Sequence, residues 1–145
     1  MLVRVVKFIK LDRYERRLFL LACFVSVKCS LMTSIYPIRK YAQMLGEMNL
    51  ESPLILSKDQ EASIVKIRRA ILRVNRYTPW KQTCFTKAFT AKILLSRVNI
   101  SSTLYLGVAK DSSNNLIAHA WLRCGDQIIT GREQMSKYTP VAFFT

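Results

Sequence analysis

The chain changes period near residue 78, and that change limits the fold more than any other feature. Before it, apolar residues recur at helical spacing: Ile64, Ile67, Ile71 and Val74 fall on one stripe. After residue 99 the apolar runs are short, rich in Leu, Val, Tyr and Thr, and separated by turn residues. A helical part followed by a strand-bearing part predicts an α+β chain, with helical amino-terminal segments packed on a core in which one helix precedes a small antiparallel sheet. The division falls at a basic helical subdomain over 1–77 and a core over 78–145, within one compact domain. A length of 145 residues with 50% apolar residues suits a single domain and excludes a disordered chain.

Element boundaries follow from capping and turn chemistry. Residues 1–10 mix Val and Leu with Arg4, Lys7 and Lys10, and Leu2, Val5 or Val6, and Ile9 form a short amphipathic face. Asp12, with Glu15 as capping-box partner, opens a helix over 13–34. Its apolar run, 18–27, is ten residues long, well short of the roughly 20 that a membrane span needs. A buried core helix is the reading preferred, with an interfacial or weakly spanning helix as the alternative. A short helix over 39–45 stops at Gly46, and residues 47–56 form a linker. Ser57 and Gln60 make a second capping box, opening a helix to about 76. After a turn at 77–80, a further helix runs from Cys84 to about 98, buried along Cys84, Ala88, Ala91 and Leu95. Strands are expected over 102–109, 116–124, 127–130 and, through Val141 and Phe143, in the tail 140–145. Asp111 to Asn115 and Gly125-Asp126 supply the turns between the first three.

Charge and cysteines bound the chemistry. There are 23 Lys+Arg against 9 Asp+Glu, a formal charge of +14, which favours an acidic partner without choosing its class. Lys66, Arg68, Arg69, Arg73 and Arg76 lie off the apolar stripe of their helix. They form either a solvated face or a docking surface for an acidic partner. No RNA-binding motif or zinc knuckle accompanies the charge, so nucleic acid is not an expected partner; membrane contact is possible but not the expectation. The four cysteines, Cys23, Cys29, Cys84 and Cys124, form no CxxC, and a single histidine is too few for a common zinc pattern; no metal or other cofactor is expected. No small-residue cleavage site follows the first apolar run, so the expectation is a reduced cytoplasmic chain whose other cysteines are structural.

Two residues stand out chemically. Cys84 begins a helix, where the positive helix end favours a thiolate and free backbone N–H groups can receive an oxyanion. His119 is the only histidine and sits on a strand between Ala118 and Ala120. A cysteine thiolate with a histidine partner is the usual requirement for attack on an acyl group, so Cys84 is the candidate nucleophile and His119 its general base and acid. Each residue alone has an ordinary reading, packing for the cysteine and a satisfied histidine for the strand. The order of nucleophile helix, strand, hairpin and base strand is what joins them.

From Pro79 to Gly131 the chain resembles the transglutaminase-like core of lasso-peptide leader peptidases, cysteine peptidases of the papain and transglutaminase type. The resemblance is carried by Pro79-Trp80, Cys84, Ala88, Leu94-Leu95, Leu104, Leu106-Gly107-Val108 and Ala118-His119-Ala120-Trp121. Arg16-Arg17-Leu18 before an apolar helix, and Pro37 followed by Arg39, resemble the amino-terminal part of the same proteins. The resemblance implies removal of the leader from a ribosomally made precursor peptide. It further implies a separate leader-recognition protein as partner, and a macrolactam cyclase related to asparagine synthetases that acts afterwards. With no room for a fused recognition domain, the chain reads as the stand-alone peptidase half.

One departure from that pattern concerns the third residue of a triad. The family places an acid on the strand after the histidine strand, and here the position falls at Gly131, after Thr130. Asp126 sits in the turn, some seven residues from His119 or roughly 20 Å along a strand. Glu133 becomes a candidate only if the strand slips or bulges. The third member therefore stays open between a simple Cys–His dyad and a neutral oxygen such as that of Thr130. Trp80 and Trp121 are read as cleft walls or as ordinary core aromatics. Two competing functions keep or discard the pair: an acyltransferase using the same Cys84 and His119, or a non-catalytic basic binding module.

Overall fold

The computed structural model describes residues 11–80 and 82–145; the amphipathic face expected at Leu2 to Ile9 lies outside them. Helix α1 is Arg13–Ile35, opened by Asp12, whose carboxylate accepts from the Glu15 N–H at 2.7 Å. The reciprocal half of the expected box is not made. Glu15 instead turns its carboxylate to Arg73 on a later helix, at 3.3 Å. A 3-10 turn at Ile38–Lys40 and the short helix α2, Ala42–Leu45, replace the single helix expected there, and Gly46 ends it with a φ of 101°. Helix α3, Lys58–Tyr77, has the full Ser57/Gln60 capping box, and Ile64, Ile67, Ile71 and Val74 are all buried.

Helix α4, Cys84–Ser96, is capped by Thr83, whose hydroxyl accepts from the Thr86 N–H at 3.1 Å. It is buried on more than the one stripe expected, because α1 and α3 cover it on one side and the sheet on the other. Phe89, wholly buried, stacks on Tyr41 at 5.8 Å and lies 5.9 Å from Phe85. The core is one cluster that draws on both parts of the chain: Ala22 and Cys29 from α1, Ile64 to Val74 from α3, Leu94 and Leu95 from α4, and Leu104, Ala120 and Leu122 from the sheet.

The sheet has four antiparallel strands in the order β3-β2-β1-β4: β1 Thr103–Lys110, β2 Leu116–Cys124, β3 Gln127–Thr130 and β4 Thr139–Phe144. Asp111 closes the β1–β2 turn by accepting from the N–H groups of Ser113 and Asn115, each at 2.9 Å. The architecture is α+β, with the helix that begins at Cys84 ahead of a small antiparallel sheet, as the change of period predicts.

The linker 47–56 is tied to the sheet by a polar clamp that the sequence does not announce. Arg123, on β2, donates to Gly125 O at 2.7 Å, Ser52 O at 3.1 Å, the Tyr105 hydroxyl at 3.1 Å and Glu51 at 3.3 Å. Tyr105 in turn donates to Glu51 at 2.6 Å. A buried guanidinium needs such a set of acceptors to offset its desolvation.

Candidate active site

Cys84 is the first residue of α4, half-buried, and packs against the edge of the core. The Thr83 cap claims the Thr86 N–H, and the Lys87 N–H bonds to Thr83 O at 3.1 Å. The N–H groups of Cys84 and Phe85 have no hydrogen-bond partner among the described residues. Two amides at the positive helix end therefore remain available beside the thiol, the arrangement that receives developing negative charge on an acyl oxygen.

His119 lies at the end of β2 that runs past the core: Leu116, Ile117 and Ala118 are exposed, and Ala120 onward is buried. Its ring tilts against Tyr138 at 4.9 Å and stacks with Trp121 at 6.0 Å. Trp121, 5% exposed, stacks in turn on Tyr105 at 5.5 Å. Gly107 stands opposite His119 on β1, and a side chain there would meet the Trp121 ring at 2.7 Å. The missing side chain of Gly107 thus lets the indole lie flat behind the imidazole.

The ring nitrogen Nε2 of His119 is 2.9 Å from Gly131 O. A carbonyl oxygen only accepts, so Nε2 carries the hydrogen and donates it, which leaves the lone pair of the neutral ring on Nδ1. Nδ1 has no hydrogen-bond partner among the described residues. His119 is therefore held in one tautomer, with its basic nitrogen free.

The third position is thus occupied by a backbone carbonyl rather than by a side chain. The β2–β3 register slips between Leu122 and Arg123, as a bulge would require for Glu133 to reach His119. However, β3 ends at Thr130, and Gly131 turns away with a φ of 78°. Glu133 is left exposed, and so is Asp126 in the turn. The Thr130 hydroxyl, one of the alternatives left open from sequence, is buried with no hydrogen-bond partner among the described residues. Gly131 suits the place for two reasons: a Cβ there would lie 2.5 Å from Ala120 O, and its φ is one that other residues adopt at a penalty.

Cys84 and His119 stand on packed elements, since α4 lies against β2. The two side chains are not hydrogen-bonded to each other in this structure. His119 shares its face of β2 with Trp121, and Ala120 between them joins the core beneath α4. By strand alternation the His119 side chain leaves β2 on the face opposite Ala120, so the packing of α4 on β2 does not by itself bring the thiol against the imidazole.

The indole N–H of Trp80 donates to the Ser26 hydroxyl on α1 at 3.2 Å and fastens the turn before α4. Gln82, two residues before Cys84, is a feature that sequence reasoning missed. It is 8% exposed, and neither its amide nitrogen nor its oxygen has a hydrogen-bond partner among the described residues. Polar side chains so buried are nearly always satisfied, so this one, two residues from the candidate nucleophile, is a position to test by substitution. The other three cysteines are also free thiols; burial pushes Cys29 and Cys124 up to about 11 and raises Cys23 as well, which makes them poor nucleophiles.

A family profile described as the transglutaminase-like superfamily matches residues 32–142, a span that contains Cys84, His119 and Gly131. No curated protein and no solved structure matches the chain.

Proposed function

The chain belongs to the transglutaminase-like superfamily, and from that premise we propose that it is a cysteine peptidase that removes the leader from a ribosomally made lasso-peptide precursor. The superfamily supports cysteine-based acyl chemistry of the peptidase or transglutaminase type. The reading is supported by a thiol at a helix start and, on a strand packed against that helix, a histidine that Gly131 O fixes in the tautomer leaving Nδ1 free.

In the proposed reaction, His119 Nδ1 takes the Cys84 proton and the thiolate adds to the carbonyl at the leader–core junction. The N–H groups of Cys84 and Phe85 receive the oxyanion. The C–N bond breaks as the imidazolium returns its proton to the leaving amine. Water, deprotonated by the same nitrogen, then splits the thioester and restores the thiol. Because Gly131 O bears no full charge, His119 is oriented without a carboxylate beside it. Leader presentation would fall to a separate recognition protein, and macrolactam closure to an asparagine-synthetase-like cyclase.

Lys66, Arg68, Arg69 and Arg76 are exposed on α3 and suit docking of an acidic leader complex, whereas Arg73 is paired with Glu15. The superfamily also favours a second reading, in which an amine rather than water resolves the thioester and the product is a joined peptide. Mass spectrometry distinguishes the two. A precursor from the same gene neighbourhood would be incubated with its recognition protein and the wild-type, Cys84→Ala or His119→Ala chain. Cleavage at one bond, lost in both variants, is the expected result. A product joined to added amine would assign the transferase, and turnover by the folded Cys84→Ala chain would overturn both.

A further inference from the structure

Helix α1 is apolar on both sides, and only one of them is covered by the described residues. Ala22, Val25 and Cys29, 0–3% exposed, face the core against α3 and α4. On the outer side Leu20, Phe24, Val27, Leu31 and Ile35 follow one another at i, i+4, i+7, i+11 and i+15, so they form a single stripe, and each is 38–67% exposed. A surface helix ordinarily turns polar residues to that side. Over 18 residues the mean hydropathy of α1 reaches 2.0, yet only 22% of that window is buried.

The charges around the stripe are of one sign. Arg17 and Arg13 continue its line at i−3 and i−7, Lys28 flanks it, and Arg39 and Lys40 follow just beyond its end; all five are exposed. The acids of this region face elsewhere, with Glu15 paired to Arg73 and Asp12 capping the helix. Tyr14 and Tyr36, 48% and 47% exposed, stand near the two ends. In the sequence, the ten residues before α1 add Arg4, Lys7 and Lys10.

That charge selects among the possible covers. A second copy of the chain would bring another +14 against the same cations and be repelled, whereas an anionic surface is attracted by every one of them. The stripe also sets the depth. From Leu20 to Ile35 it is about 22 Å long, short of the roughly 30 Å hydrocarbon core. The inner face, moreover, cannot leave the protein core without exposing Ala22, Val25 and Cys29. A helix buried on one side and apolar with basic flanks on the other lies in the plane of a membrane rather than across it.

We propose that the outer face of α1 seats this protein on an anionic lipid surface, its five apolar side chains entering the acyl boundary and its cations meeting the headgroups. This takes up the interfacial helix that the sequence left as the alternative to a buried core helix, and favours it on the face the helix presents. The proposal is independent of the cysteine chemistry, since it uses no residue of α4 or β2.

Vesicle flotation of the full chain tests it, with phosphatidylcholine vesicles compared with phosphatidylcholine/phosphatidylglycerol vesicles. The wild type is expected to float with the anionic vesicles, less at high salt. Phe24→Ser with Leu31→Ser, both exposed, should lower partitioning about 100-fold, and Leu31→Ser alone, a fallback should the double variant be unstable, about tenfold. Arg13→Gln with Arg17→Gln should lower it about fivefold per arginine on anionic vesicles only. Absence of flotation, or flotation unchanged by the serine variants, would overturn the proposal. So would self-association in sedimentation equilibrium that the serine variants abolish, because the face would then belong to a second copy.

Discussion

At the scale of one residue, Gly131 O accepts the Nε2 hydrogen of His119 at 2.9 Å, where the resemblance leads one to expect a carboxylate. It does so from a backbone shape that a side chain would disturb, and the expected effect of Gly131→Ala follows. The left-handed conformation costs an alanine about 1–2 kcal/mol, and the contact at 2.5 Å to Ala120 O forces the carbonyl to shift as well. Urea unfolding should show a loss of at least that size, and turnover should fall further than stability explains because His119 loses its orientation. Gln82 predicts the opposite balance. Its orphaned carboxamide is a standing penalty, so Gln82→Leu should raise stability by about 1–2 kcal/mol. If the amide serves the reacting acyl group, the same change lowers turnover; unchanged turnover would make it a packing defect only. Cys84 and His119 stand out in the sequence as candidates through their order, helix start before strand, since each alone has an ordinary reading. Gly131 as the orienting group was not legible, since every residue has a carbonyl and only the chain path reveals which one meets the ring.

The elements themselves were largely readable, and the places where they were not have identifiable causes. β2 and β3 follow from alternation and from Gly125-Asp126, but the register slip between Leu122 and Arg123 leaves no mark in composition. The short segment 38–45 splits into a 3-10 turn and α2 because neither piece is long enough for propensity to decide. Glu15 was read as a capping partner, yet a tertiary pair with Arg73 outcompetes the local bond. The clamp on Arg123 belongs to this scale as well, joining the linker to β1 and β2. Removing the guanidinium in Arg123→Leu leaves Gly125 O, Ser52 O and Tyr105 short of a donor, so a loss of about 2–3 kcal/mol is expected in denaturant unfolding. Faster proteolysis within 47–56 should accompany it if the clamp is what fastens that segment.

For the whole molecule, pH dependence reports how deeply its charged groups are buried. Burial holds the Lys92 amine down to about 8, against 10.5 in an open chain, although Nζ donates to Ser102 O at 2.7 Å and Phe144 O at 3.4 Å. Below pH 8 the ammonium is charged in both states and its burial is a constant cost. As pH rises above 8 the folded form releases the proton first, the unfolded chain binds more protons, and stability increases. Cys29 and Cys124, raised by burial from 9.0 to about 11, act the other way above pH 9, because the unfolded chain then ionises first. Thermal unfolding should therefore show stability rising between pH 8 and 9, a rise that Lys92→Met removes. A flat profile in the wild type would show that Lys92 is solvated. At this scale the α+β class was set by the change of period near residue 78, whereas the uncovered face of α1 was hidden by a run of apolar residues that reads the same whether covered or bare.

The central claim, that Cys84 and His119 act as a pair, can be tested without knowing the substrate. Iodoacetamide labelling at neutral pH, followed residue by residue by mass spectrometry, compares the four thiols in the wild type and in His119→Ala. The account predicts that Cys84 is labelled well ahead of Cys23, Cys29 and Cys124, and that its rate falls about tenfold or more when His119 is removed. Labelling of Cys84 at the same rate in both proteins, with the fold intact, would contradict it.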